Sequence, residues 1–186
     1  MKLRIKGYAI VSDDGMLADA EGVMPAALRI EADQTFLSEG LDRADIIVHG
    51  RHSHEGHPQS PRRRRLIATR GVATLGPSPD HPNAVLWNPS ALPLERAMEA
   101  IDMDGGTIAV LGGTELFGLF LPRYDVFHLS RAVGLRLPGG RPVFPQVPAR
   151  SPEKLLAGAG LVADPPRVLD AARGASLVSW RRPASI

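Results

Sequence analysis

Thr107-Ile108-Ala109-Val110-Leu111-Gly112-Gly113-Thr114-Glu115-Leu116-Phe117 joins an apolar, β-branched run to a helical pattern through two glycines. The run reads as a buried strand. The pattern after it reads as a helix to about Leu121, stopped by Pro122. Glycines at a strand-to-helix turn let a bulky ligand approach the backbone, and the first N–H groups of the helix lack internal partners. That arrangement favours an anion such as a pyrophosphate. Paired glycines also make ordinary turns, so the segment takes its meaning from its surroundings.

Outward from this turn the chain alternates strand and helix patterns. Leu3 to Val11 reads as a strand, Ser12-Asp13-Asp14-Gly15 as a turn, and Met16 to Pro25 as a loop. Arg29 to Arg43 has helical spacing through Ile30, Phe36, Leu37 and Leu41, with Gly40 weakening its end. Short strands follow at Asp45 to Gly50, Leu66 to Thr69 and Ala84 to Trp87. A helix spans Pro93 to Met103, with Pro93 in its first turn. Tyr124 to Ala132 alternates as a strand, Pro152 to Ala157 is helical, and Val168-Leu169 with Leu177 to Trp180 bracket Gly174 as a hairpin. The pattern predicts one α/β domain over residues 1–186, with a largely parallel central sheet and an antiparallel C-terminal edge.

Composition excludes several classes. Twenty-two basic and 20 acidic residues leave a net charge of +2, which does not argue for general nucleic-acid or membrane binding. The absence of cysteine removes disulfides and thiolate chemistry and fits a reducing compartment. Met1-Lys2-Leu3-Arg4-Ile5-Lys6 alternates like a strand and lacks the apolar core of a signal peptide, and no segment is apolar enough to span a bilayer. A cytoplasmic location is expected.

Ligands of open α/β sheets sit outside the carboxyl ends of strands. Three such ends here offer phosphate-compatible groups: Gly112 to Thr114, Gly50-Arg51-His52-Ser53, and Thr69-Arg70. Together they point to a phosphate-rich ligand such as a dinucleotide with a 2′-phosphate. Three unrelated turns would give the same pattern.

At these residues the chain resembles the dihydrofolate reductase superfamily. Leu111-Gly112-Gly113-Thr114-Glu115-Leu116-Phe117 followed by Phe120-Leu121-Pro122, Ile46-Ile47-Val48-His49-Gly50-Arg51, and Gly139-Gly140-Arg141-Pro142-Val143-Phe144-Pro145 match its elements in order. The likeness runs from Gly7 to Pro145. Ser12-Asp13-Asp14-Gly15-Met16-Leu17-Ala18 is similar instead to the reductase domain of riboflavin biosynthesis. Met24-Pro25 looks like the folate branch, although Ala26 stands where that branch usually has tryptophan.

The resemblance implies a three-layer fold, NADPH as cofactor, and hydride transfer to a small heterocycle. The leading substrate is dihydrofolate or a related pteridine. The alternatives are the riboflavin-pathway pyrimidine and a catalytically inactive nucleotide-binding protein. It implies that Gly50, Arg51, His52 and Ser53 hold phosphate and ribose groups, and that Thr69 and Arg70 receive the 2′-phosphate. Leu111, Gly112, Gly113, Thr114, Glu115 and Leu116 would cover the pyrophosphate, and Ala9 and Leu17 would border the nicotinamide. A reduced C=N or C=O also needs a proton. Asp33 is the expected site carboxylate, with Glu31 the fallback, although acidic residues near a helix start also complement its dipole. Ala9, Phe36 and Ser130 are further substrate-side residues, Phe36 being equally suited to the core. A small-molecule substrate is the expected partner, and a homodimer stays open.

Arg62-Arg63-Arg64-Arg65 is a dense cationic run. Its shortness and the absence of interleaved aromatics favour a solvated loop over a nucleic-acid site. The resemblance places a carboxylate-binding arginine nearest Arg63. His49, His52, His54 and His57 fit no zinc-ligand spacing, and no metal is expected.

Overall fold

A computed structural model describes residues 2–53 and 58–184. In chain order the strands and helices are β1 (Lys2–Val11), β2 (Met16–Ala18), α1 (Glu31–Asp42), β3 (Ile46–Gly50), β4 (Arg65–Ala68), β5 (Leu75–Pro77), β6 (Ala84–Trp87), α2 (Leu94–Ala100), β7 (Gly105–Val110), α3 (Thr114–Phe120), β8 (Val126–Ala132), β9 (Arg141–Pro142), α4 (Pro152–Gly158), β10 (Val162–Ala163), β11 (Arg167–Asp170) and β12 (Ala175–Arg181). Ten strands form one sheet in the order β10-β12-β8-β1-β7-β3-β4-β6-β5, with β11 also on β12. β8, β1, β7, β3, β4 and β6 are mutually parallel. β12 runs antiparallel to β8, closing the expected C-terminal edge.

Alternation along β1 divides the sheet into two faces. Ile5 and Val11 join the largest apolar cluster, with α2, α3 and α4 supplying Met98, Phe117 and Leu156. Tyr8 and Ile10 face the other way, and Tyr8 packs with Leu41 of α1, Ile47 and Ala109. The result is helices on both faces of a central sheet. Gly40 does not weaken the end of α1. It is buried against Tyr8, and a Cβ there would lie 2.7 Å from the tyrosine hydroxyl, so glycine sets the close seat of the helix on the sheet.

Three elements depart from expectation. Met16–Ala18 is a strand within the expected loop, paired with β9. β5 adds a second antiparallel edge, against β6. The helix after Pro93 ends at Ala100, and Pro93 caps it rather than entering its first turn. Segments of two or three residues carry no readable period, because their pairing is supplied by distant chain.

Candidate functional site

The two glycine turns meet directly. β3 lies beside β7, and the Gly50 N–H donates to the Gly112 carbonyl at 2.7 Å. A Cβ on Gly113 would come 3.4 Å from the Ser53 hydroxyl. Gly112 has φ +91°, and a Cβ there would fall 2.3 Å from the Phe117 ring, so only glycine fits. The Gly112–Gly113 peptide is cis. Since β4 follows β3 in the sheet, the ends at Gly112, Gly50 and Thr69 stand side by side, spanning about 10 Å at ordinary strand spacing.

Side chains at these ends divide by role. Arg51, His52, Arg70 and Glu115 are exposed, and Leu111 is half-buried. The buried Thr69 hydroxyl accepts the Gly71 N–H at 3.0 Å. Thr114 donates its hydroxyl to the Pro142 carbonyl, tying α3 to β9. Leu116 is buried in the main apolar cluster, so its side chain packs the core and does not face a ligand.

Across β1 from this junction lies a buried carboxylate. Asp33, in the first turn of α1, is 8% exposed and shares a hydrogen bond with the Ser130 hydroxyl on β8, itself 2% exposed. Burial raises the Asp33 pKa above its ordinary value, and the Ser130 bond opposes that rise. Glu31 is exposed, and of the two acids only Asp33 turns inward. Val110 pairs with Gly7 and Ser130 with Ile10, so Gly112 and Ser130 flank residues 9–10 of β1 at the carboxyl end of the sheet. Ala9 and Leu17 are half-buried against the main cluster. A cavity of about 480 Å³ lined by Trp87, Leu92, Leu119 and Phe120 lies elsewhere and shares no residue with the Asp33–Ser130 pair.

No protein-family model matches the chain, and no curated protein does. Solved structures do. A Shewanella sp. PV-4 protein assigned to riboflavin biosynthesis superposes with a TM-score of 0.68 at 17% identity, covering 98% of this chain and 100% of that one. The diaminohydroxyphosphoribosylaminopyrimidine deaminase/5-amino-6-(5-phosphoribosylamino)uracil reductase of Thermotoga maritima gives 0.68 at 15% identity, over 98% of this chain and 57% of that one. Dihydrofolate reductase from Enterococcus faecalis, complexed with NADP(H) and RAB-propyl, gives 0.66 at 16% identity, over 97% of each chain. The chain has the dihydrofolate reductase fold.

Within this dihydrofolate reductase fold the arginine run is not a solvated loop. Arg62 ends a 3-10 turn and is exposed; from Arg63 the chain runs extended into β4 and alternates sides, burying Arg63 and Arg65 and exposing Arg64. Arg65 donates to the Ser60 hydroxyl at 2.6 Å and Arg64 to the Ile101 carbonyl at 3.0 Å. Arg63 does not present a free guanidinium to a substrate carboxylate. Its Nη2 donates to Asp42 at 2.6 Å and to the Ser38 hydroxyl at 3.0 Å, and its Nε donates to Asp42 at 3.1 Å. The side chain is 7% exposed and ties α1 to the segment before β4. Arg63→Met should therefore cost about 2 kcal/mol of stability. That would appear as a fall in Tm of roughly 4–8 °C. A double-mutant cycle with Asp42→Asn checks it, and strict additivity of the two changes would remove the tie.

Phe36 is half-buried between three neighbours: Tyr8 at 6.2 Å, His128 at 5.0 Å, and the Arg167 guanidinium 5.2 Å from its ring centre. His128 was absent from the sequence-based set. It stacks 4.8 Å from Tyr8, and its Nδ1 lies 2.8 Å from the Ser179 hydroxyl. Burial, with Arg181 and Lys6 nearby, pushes its pKa down to about 4. The legible signal was His128 and Ser130 at alternate positions of β8, two polar groups on one face of an apolar strand. His49 is buried with Nδ1 2.8 Å from the Gly50 carbonyl, whereas His54 and His57 lie outside the described residues.

Proposed function

We propose that the chain is an NADPH-dependent reductase that delivers a hydride to a small heterocycle, with a dihydropteridine such as dihydrofolate as leading substrate. The observation that carries this reading is the buried Asp33–Ser130 pair beside the Gly50–Gly112 junction. The glycine junction suits close approach of a pyrophosphate, and exposed Arg51 and Arg70 supply charge for phosphate groups at neighbouring strand ends. NADPH, when bound, supplies the hydride, as befits a fold shared with a reductase complexed with NADP(H). Asp33 holds a proton near the acceptor, and Ser130 fixes the carboxyl's orientation. Burial keeps that proton on to higher pH than an exposed aspartate would.

The riboflavin-pathway aminopyrimidine is the second reading. The Ser12-Asp13-Asp14-Gly15 start favours it, as does the engagement of Arg63 by Asp42 and Ser38. The test is a panel of dihydrofolate, dihydrobiopterin and the aminopyrimidine, each followed for NADPH loss. Turnover of one ring identifies the acceptor, and tight NADPH binding without turnover of any would leave a nucleotide-binding protein. Arg70→Gln is expected to weaken NADPH about tenfold and leave NADH unchanged. Equal wild-type affinities for the two cofactors, measured by titration, would remove the 2′-phosphate assignment.

A further inference from the structure

The α1-side face of the sheet carries a second feature nearer the amino ends of its strands. Register places Lys6 of β1 beside Val126 of β8 and Arg181 of β12, and places Tyr8 beside His128 and Ser179 in the next row. Arg4 precedes Lys6 on the same face by alternation. The charges acting on Lys6 are Arg4, Arg43 and Arg181, and those acting on His128 are Arg181, Lys6, Asp164 and Arg167. Ion pairs hold two of these five permanent cations. Asp164 binds Arg181 at 2.6 Å, and Glu39 stands 3.9 Å from Arg43 with both side chains exposed.

We propose that this face binds a phosphate-class dianion between Lys6 and Arg181, over the buried Val126. The two cations flank one strand, about 10 Å apart at ordinary strand spacing, a gap that one phosphate and two long side chains bridge. Val126 gives the site an apolar floor, being 2% exposed. Phosphate relieves the mutual repulsion of the cations and, as a negative charge beside His128, raises the pKa of its imidazole. Ser130 lies four residues beyond Val126, so this site is about 13 Å along β8 from the carboxylate pair and separate from the glycine junction.

The test is calorimetric titration with inorganic phosphate at constant ionic strength set by chloride, with the His128 imidazole followed by NMR. Saturable binding is expected, raising the His128 pKa above its value of about 4. Lys6→Met and Arg181→Gln should each weaken it at least about tenfold, and Lys6→Arg should retain it. The Arg51→Gln/Arg70→Gln double variant should bind phosphate here as the wild type does. A tighter ribose 5-phosphate identifies a phosphorylated small molecule as the ligand, and equal affinities identify free phosphate. Binding lost with Arg51 and Arg70 but kept in Lys6→Met, or a His128 response that chloride reproduces, overturns the proposal.

Discussion

Asp33→Asn should lower turnover about 100-fold or more while leaving NADPH binding within about twofold of wild type, since a positioned general acid contributes on that scale. Asparagine keeps the shape and the hydrogen bond to Ser130 but cannot hold the transferable proton. The pH dependence follows from burial. Unfolded Asp33 ionises near 3.8, and the folded carboxyl ionises higher. Its contribution to stability is therefore complete below 3.8 and is lost as pH rises through the folded value. The rate that depends on the protonated carboxyl falls over the same rise. Asp33→Asn should flatten both profiles and raise Tm at neutral pH, because no buried charge forms. Steady-state kinetics, NADPH titration and melting curves across pH check this. A variant with wild-type turnover removes Asp33 from the mechanism, and one whose Tm falls at neutral pH removes the buried-charge account of its stability.

Gly112→Ala should destabilise the fold by about 3 kcal/mol. A Cβ at φ +91° would lie 2.3 Å from a Phe117 ring already packed against Phe127 and Phe144. The expected fall in Tm is roughly 6–12 °C. Gly50→Ala is the control that separates folding from cofactor approach. Its added methyl would meet nothing nearer than 3.6 Å, so the fold should hold. NADPH affinity should nonetheless drop about tenfold or more, because the methyl stands where the backbone meets the ligand. Wild-type NADPH affinity in a folded Gly50→Ala protein would sink the glycine junction as the cofactor cradle.

Alternation and glycine punctuation made most of the parallel core legible. Ala84–Trp87 was bounded as observed, and the strands at β1, β3, β4, β7 and β8 within one or two residues. Each is long or apolar enough to carry a local period. β2, β9 and β10 were not legible, because a two- or three-residue strand is defined by its partner. Gly40 misled for a similar reason. Its local effect weakens a helix, while its tertiary role is to clear space for Tyr8.

The site divides along the same line. The sequence by itself determined the α/β alternation, the three polar strand ends and the residue types a phosphate-rich ligand and a proton donor would need. Tertiary structure decided which of them meet. It joined Gly50 to Gly112, turned Asp33 inward to Ser130 while leaving Glu31 exposed, and placed Leu116 in the core. It also turned Arg63 from a prospective substrate contact into a tie on Asp42. The physical reason is that local propensity acts over a few residues. Burial and hydrogen-bond partnership are settled by elements distant in sequence, here 62 residues apart at Gly50 and Gly112 and 97 apart at Asp33 and Ser130.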